Sequence, residues 1–214
     1  MAETYRFALV GNPNVGKSSL FNALTGLHQH TGNWPGKTVA TAAGTCSIDG
    51  AAVELIDLPG TYSLSARSPE EEVAAEYISF GSADAVIVVC DATALERNLY
   101  LALQVMEITD HVVICVNLMD EAGKRGITVD LPRLSQMLGV RVVGTSARQK
   151  KTLPPLLRAA VAAAQERHHK PVPVRYGEAI EAGLFSIEAR LDELLPGSIP
   201  NHRWIAMQLL TGGD

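Results

Sequence analysis

Gly11-Asn12-Pro13-Asn14-Val15-Gly16-Lys17-Ser18 is the stretch whose reading decides the fold. It has the form G-x-x-x-x-G-K-S. An apolar run, Phe7-Ala8-Leu9-Val10, leads into it, and a helix-like run, Ser19-Leu20-Phe21-Asn22-Ala23-Leu24, leads out. Strand, glycine-rich loop and helix in that order make an anion cradle. The glycines let backbone N–H groups wrap a phosphate. The helix start adds a favourable dipole, and Lys17 reaches the outer phosphates. The Ser18 hydroxyl is a ligand for Mg²⁺.

Outward from this loop the chain alternates strands and helices. Residues 4–10 read as a strand buried on both faces, and residues 17–26 as a helix stopped by Gly26. Residues 27–38 show neither a helical nor a strand period and read as a polar loop. A loop of this length beside a phosphate site is expected to be functional. Residues 39–48 and 51–56 read as two strands joined at Asp49-Gly50, a hairpin turn signal. Ser68-Pro69-Glu70-Glu71-Glu72 has the form of a cap followed by a first helical turn, with the helix reaching about Ser79. Residues 85–90 and 111–116 are short, fully apolar runs and so central parallel strands. Residues 94–107 and 130–138 read as helices, 140–144 as the last strand, and 153–167 as an Ala/Leu-rich helix. The expected fold is α/β, doubly wound, with a mostly parallel sheet of six to seven strands and one antiparallel hairpin at its edge. A Pro-containing linker, residues 168–174, then divides residues 1–169 from a small all-α unit, residues 170–214. The apolar positions Ile180, Leu184, Ile187, Leu191 and Leu194 recur there at helical spacing. A unit this small is expected to dock on the first.

Composition narrows the function. The chain has 214 residues, 47% of them hydrophobic, and a net charge of −5, which argues against nucleic acid as a partner. Three cysteines make neither a disulfide framework nor a zinc pattern. Cys90 and Cys115 lie in apolar runs and read as buried thiols. The first residues carry no apolar signal segment, and no stretch is long and apolar enough to span a bilayer. Cys46, His28, His30 and the acidic triplet 70–72 lack metal-ligand spacing, so iron binding within this chain is weakly supported.

The polar residues that follow each strand carry the chemistry. Asp57-Leu58-Pro59-Gly60 supplies a carboxylate for Mg²⁺ through water, and Gly60 leaves its N–H free for a terminal phosphate. A Thr from the loop ahead would complete the metal's oxygen shell. Thr38, just before the second strand, is the first choice, with Thr31 and Thr41 as competitors. Asn117-Leu118-Met119-Asp120 reads the base. A fixed Asp120 carboxylate accepts hydrogen bonds from N1–H and the 2-amino group of guanine, which adenine does not offer, so GTP is selected over ATP. Asn117 can bridge the base edge and the phosphate loop. Ser146-Ala147 would bring a backbone N–H to the guanine O6. The expected nucleotide site thus draws on Gly11 to Ser19 (Gly11, Asn12, Pro13, Asn14, Val15, Gly16, Lys17, Ser18, Ser19), on Gly36, Lys37 and Thr38, on Asp57 and Gly60, and on Asn117, Asp120, Ser146 and Ala147. Catalytic roles fall to Lys17, Asn14, Thr38 and Gly60, and Mg²⁺ to Ser18, Thr38 and Asp57.

These motifs resemble the translation-factor branch of the P-loop GTPases over residues 4 to about 167. Together with Gly32-Asn33-Trp34-Pro35-Gly36-Lys37-Thr38-Val39, Thr61-Tyr62-Ser63-Leu64, Leu95-Glu96-Arg97-Asn98-Leu99-Tyr100-Leu101 and the close Arg203-Trp204-Ile205-Ala206-Met207-Gln208-Leu209-Leu210, they are similar to the cytosolic part of the FeoB ferrous-iron transporter family. The resemblance implies GTP hydrolysis that gates iron transport from the cytoplasmic face of the bacterial inner membrane. It implies that a multi-span membrane portion follows and that this chain is a fragment. Small accessory proteins of iron transport and a homo-oligomer are further partners it suggests. It also implies K⁺ activation, with K⁺ on Asn14 helped by backbone carbonyls of Gly32 to Trp34. The alternative is that Asn14 only stabilises the loop. Two departures stand out. Thr61 occupies the place of the water-orienting Gln of Ras-like enzymes, so intrinsic hydrolysis is expected to be slow. Leu118 stands where many GTPases have a Lys over the base, so affinity is expected to be modest. A ribosome-associated GTPase and a nucleotide switch with incidental hydrolysis share the loop and remain alternatives.

Overall fold

In β1 (Thr4–Gly11), Phe7 and Leu9 face one side of the sheet while Ala8 and Val10 face the other, and all four are fully buried. β5 (Ala85–Asp91) repeats this with Ile87 and Val89 opposite Val86 and Val88. β6 (Val112–Asn117) does so with Val113 and Cys115 opposite Ile114 and Val116. A strand apolar on both faces needs cover on both, and helices supply it. α1 (Lys17–Thr25) and α6 (Leu153–Gln165) cover one face through Leu20, Phe21, Leu156 and Ala160. α2 (Pro69–Phe80) and α3 (Leu95–Ile108) cover the other through Ala74, Leu101, Val105 and Ile108. The result is a three-layer α/β/α molecule, known here from a computed structural model that describes residues 3–26, 29–34, 37–65, 67–166, 171–195 and 201–212.

The remaining strands are β2 (Gln29–Asn33), β3 (Ala40–Ile48), β4 (Ala51–Asp57) and β7 (Arg141–Gly144). They complete a seven-stranded sheet of order β2-β3-β4-β1-β5-β6-β7. β4, β1, β5, β6 and β7 run parallel, whereas β2 and β3 are antiparallel to their neighbours. The order reverses at β1, whose neighbours lead away in opposite directions along the chain. Ligands of such sheets bind beyond the carboxyl end at that reversal, where Gly11–Ser18 lies. The hairpin at Asp49-Gly50 forms as the sequence indicates, with φ of 50° and 87° at its two residues. Ser68 caps α2 by accepting the Glu71 amide at 3.2 Å.

Two expectations need correction. Residues 27–38 are not wholly loop: Gln29–Asn33 forms β2, paired with Ala40–Gly44. No side-chain period betrays it, because its backbone pairing to β3 outweighs its low strand propensity. β2 thus adds a third strand to the expected antiparallel hairpin of β3 and β4. Second, a short helix, α4 (Met119–Lys124), follows β6 directly. Beyond it lie α5 (Leu131–Leu138), capped by Asp130 and ended by Gly139 at φ 67°, and a 3-10 turn at Lys150–Thr152.

α7 (Glu178–Leu194) and α8 (His202–Leu210) pack on each other, and Trp204 of α8 enters the α3 side of the core. The expected unit boundary at 169/170 lies outside the described residues.

Candidate nucleotide-binding site

Every motif residue named above for a strand end sits on the same rim of the sheet. β1 delivers Gly11, and a Cβ there would stand 2.6 Å from the Val89 carbonyl oxygen of β5, so only glycine lets these strands close up. Asn14 and Gly16 both take left-handed backbone, φ 68° and 80°, conformations that curl a loop and suit asparagine and glycine. A Cβ on Gly16 would also meet the Asn117 side-chain nitrogen at 2.7 Å. The loop encloses a cavity of about 520 Å³ lined by Asn12, Pro13, Asn14, Gly16, Lys17, Ser18, Ser19 and Gly60. Asn12 is buried, and its Oδ1 has no hydrogen-bond partner among the described residues.

Lys17 is buried and pairs directly with Asp57, while its Nζ also donates to the Leu58 carbonyl at 2.6 Å. Burial pushes the Asp57 carboxyl above the ordinary range, and the Lys17 charge pulls against that shift without reversing it. Gly60 lies against Pro13, where a Cβ would meet backbone atoms at an ordinary 3.5 Å. Its neighbour Thr61 is held from both ends: its amide donates to the Gly11 carbonyl at 3.1 Å, and its hydroxyl donates to Ser63 O at 2.7 Å. Thr61 is only 3% exposed, and its hydroxyl is committed to Ser63 rather than to the cavity.

Asn117 is fully buried and joins two loops. Its side-chain amide donates to Val15 O at 3.0 Å, and its Oδ1 accepts from Thr145 Oγ1 at 3.0 Å. Leu118 then takes a left-handed φ of 61°, a conformation that costs a leucine about 1–2 kcal/mol. That turn lets the Met119 amide reach Thr145 O at 3.1 Å and the Asp120 amide reach Ser146 Oγ at 3.1 Å. The Ser146 amide is taken by Thr152 Oγ1 at 3.1 Å. The Ala147 amide makes no hydrogen bond among the described residues. Sequence reading missed Thr145 and Thr152, and also the Leu58 carbonyl. The polar break Thr145-Ser146 after an apolar strand was the one signal available for Thr145.

The loop ahead of β3 behaves differently. Thr38 is exposed and does not line the cavity. Lys37 turns to α2, with its Nζ 2.9 Å from Glu72 and 3.3 Å from Glu76. Trp34 packs edge-on against Tyr77 of α2, and its carbonyl accepts the Lys37 amide at 3.0 Å. Gly32 is exposed within β2, and Gly36 lies outside the described residues. Among the described residues, no group of three or more His, Cys, Asp or Glu side chains could hold a metal ion, and no helix is long and apolar enough to cross a membrane.

A phosphate loop at the strand-order reversal, tied by an asparagine to a loop two strands away, is the arrangement of a P-loop protein of the GTPase class. Comparison with known proteins narrows this. The family model for ferrous iron transport protein B matches residues 5–160. The Fe(2+) transport protein A/Fe(2+) transporter FeoB fusion protein of Porphyromonas gingivalis is 42% identical over 212 residues, which is 97% of this chain and 25% of that protein. The cytosolic domain of the T. maritima FeoB iron transporter has been solved in a GDP form and in a GMPPNP form. The first superposes with a TM-score of 0.93 at 39% identity, over 100% of this chain and 82% of that one. The second does so with a TM-score of 0.92 at 40% identity, over 98% and 82%. This chain belongs to the ferrous iron transport protein B family. It spans about a quarter of the length of the curated relatives it matches.

Proposed function

We propose that this chain binds guanine nucleotides with Mg²⁺ and slowly hydrolyses GTP to GDP and phosphate. We further propose that it thereby regulates ferrous iron passage through a membrane-spanning portion of the same polypeptide, from the cytoplasmic face of the bacterial inner membrane. Residues 1–169 form the GTPase domain in this reading, and residues 170–214 a helical spacer. The observation that carries it is the Asn117–Val15 hydrogen bond, which joins the base-reading loop and the phosphate loop into one site. Relatives crystallised with GDP and GMPPNP support the ligand class.

The residues present fit Mg²⁺. Ser18 is exposed and lines the cavity, and the half-buried Asp57 carboxylate pairs with Lys17 of the same loop; both are the hard oxygen donors this ion takes. Thr38 is the third donor in this reading and would have to move inward from its exposed position. When bound, Mg²⁺ neutralises charge on the outer phosphates. The chain's own residues do the rest. Lys17 exchanges Asp57 for phosphate oxygens. The amides of the loop and of Gly60 hold the phosphates in line. Asp120 and Ala147 select guanine. The Thr61 hydroxyl is committed to Ser63 and cannot orient the attacking water, which supports slow turnover. Asn14 is the K⁺ ligand in this reading: its side chain is exposed at the cavity wall with no hydrogen bond among the described residues. A K⁺ ion there would supply the positive charge that an arginine finger brings elsewhere. GTP turnover in K⁺ and Na⁺ buffers, with Lys17→Ala as control, tests the proposal. Turnover in both buffers, faster in K⁺ and lost in the variant, is the expected result. No turnover in either from a folded chain overturns it.

A further inference from the structure

Where α8 meets α3, the Glu107 side chain is 5% exposed, and neither of its carboxylate oxygens has a hydrogen-bond partner among the described residues. The nearest cation is Arg203, with Nε 3.6 Å away, beyond hydrogen-bonding reach. Arg203 is committed elsewhere. Its Nη2 donates to Val174 O at 2.8 Å and to Glu181 at 2.9 Å, and Nη1 donates to Glu181 at 3.2 Å. Its Nε stays buried and makes no hydrogen bond among the described residues. Glu188 of α7 stands 3.8 Å from the same guanidinium, with an oxygen that is buried and has no hydrogen bond among the described residues. Three carboxylates therefore converge on the Arg203 guanidinium. Nearby, His202 Nδ1 is engaged with Asp192, and its Nε2 is buried without a partner among the described residues. Asp110 lines the same cavity of about 400 Å³ between α3 and the 171–174 segment. From that segment's side come Arg175 and Tyr176, the Tyr176 ring lying 5.8 Å from the Arg203 guanidinium carbon, and from α3 comes Tyr100.

An ionised carboxylate buried without a hydrogen bond is a strongly unfavourable group, and one proton removes the charge. We infer that Glu107 binds a proton at this junction and that the bound proton strengthens the docking of the α7–α8 hairpin on α3. Burial raises the Glu107 carboxyl above the ordinary range, with Glu181 and Glu188 adding to the shift and Arg203 opposing it. Glu181, held to about 2 by Arg203 and the Tyr176 amide, stays ionised and is not the group that titrates. The sign follows. A carboxyl raised in the docked state stabilises that state below the ordinary glutamate range and loses the effect as pH rises through the raised value.

Trp204, 8% exposed beside Arg203, reports on this docking. The chain has two tryptophans, so Trp34→Phe leaves Trp204 as the sole reporter. Its emission should move to the red as pH rises from 5 to 8. In the same background Glu107→Gln should hold the blue position throughout, and Glu188→Gln should lower the midpoint. An unchanged pH profile in Glu107→Gln, or a flat profile in the parent, overturns the inference. If that variant fails to fold, amide exchange in the parent decides. Protection of His202–Leu210, corrected for the intrinsic rate, should fall by up to about tenfold per pH unit while β5 and β6 hold. Equal change in all three, or none, overturns it.

Discussion

The Asn117 side-chain amide donates to the Val15 carbonyl at 3.0 Å across a separation of 102 residues. Thr145 fixes the other end of the same side chain, so the amide's orientation is set before any ligand arrives. An isosteric carboxylate cannot make this bond. Asn117→Asp should therefore lower the stability of the nucleotide-free chain by about 1–3 kcal/mol, the cost of orphaning a buried acceptor. Urea denaturation measures this, and an unchanged midpoint would show that the tie is energetically idle.

Gly11 and Gly60 separate a packing glycine from a ligand glycine. At Gly11 a Cβ would meet the Val89 carbonyl at 2.6 Å, and neither strand backbone can yield cheaply. Gly11→Ala should cost about 1–3 kcal/mol. At Gly60 the nearest atoms are at 3.5 Å, so Gly60→Ala should unfold at the parent's temperature. It should instead reduce the preference for a GTP analogue over GDP. Thermal unfolding and paired affinity titrations distinguish the two outcomes.

Asp57 gives the site a pH dependence. Its carboxyl is raised by burial, against the pull of Lys17. The folded chain thus holds that proton more tightly than the unfolded chain does. This contribution to stability is present below the ordinary aspartate range and is lost as pH rises through the raised value. Magnesium needs the ionised form. The Mg²⁺-dependent part of GDP affinity should fall as pH drops from 7 towards 5, and Asp57→Asn should flatten the curve. A parent whose Mg²⁺ dependence is constant over that range would remove Asp57 from the metal's shell.

Asp120 can be tested by exchanging donor and acceptor. Its carboxylate can only accept, which suits the N1–H and 2-amino group of guanine. An amide at this position can donate to a 2-carbonyl instead. Asp120→Asn should lose GDP affinity by tenfold or more and gain affinity for xanthosine diphosphate. The fold should hold, because the contact made by residue 120 runs through its backbone amide to Ser146. Competition binding with the two nucleotides reads the outcome.

The sheet and its helices were legible in the sequence because their signals are local. Apolar runs, Ser68-Pro69 and Asp49-Gly50 each act within a few residues. That the loops after β1, β4, β6 and β7 share one rim was legible because each follows a strand directly, and the parallel order gathers those strand ends on one side. β2 was not, since Gln29–Asn33 is polar on both faces and becomes a strand only through pairing with β3. The Lys17–Asp57 pair was also hidden. Sequence gives Lys17 a phosphate to reach, whereas in this structure the nearest anion is a carboxylate 40 residues away. The Glu107–Arg203 junction joins residues with no shared motif. Only packing α8 on α3 brings them together.

Asn14 carries two explanations that the structure makes separable. Its φ of 68° alone favours asparagine or glycine there, since other residues strain by about 1–2 kcal/mol. Its exposed side chain offers the second explanation, a ligand for K⁺. Asn14→Gly keeps the backbone and deletes the ligand, whereas Asn14→Ala removes both. If the side chain binds K⁺, both variants lose K⁺ stimulation of GTP turnover. In that case only Asn14→Ala loses about 1 kcal/mol of stability and some GDP affinity in Na⁺ buffer. If Asn14→Gly keeps full K⁺ stimulation, the side chain binds no cation. The left-handed turn would then be the whole reason that an asparagine stands at this point of the phosphate loop.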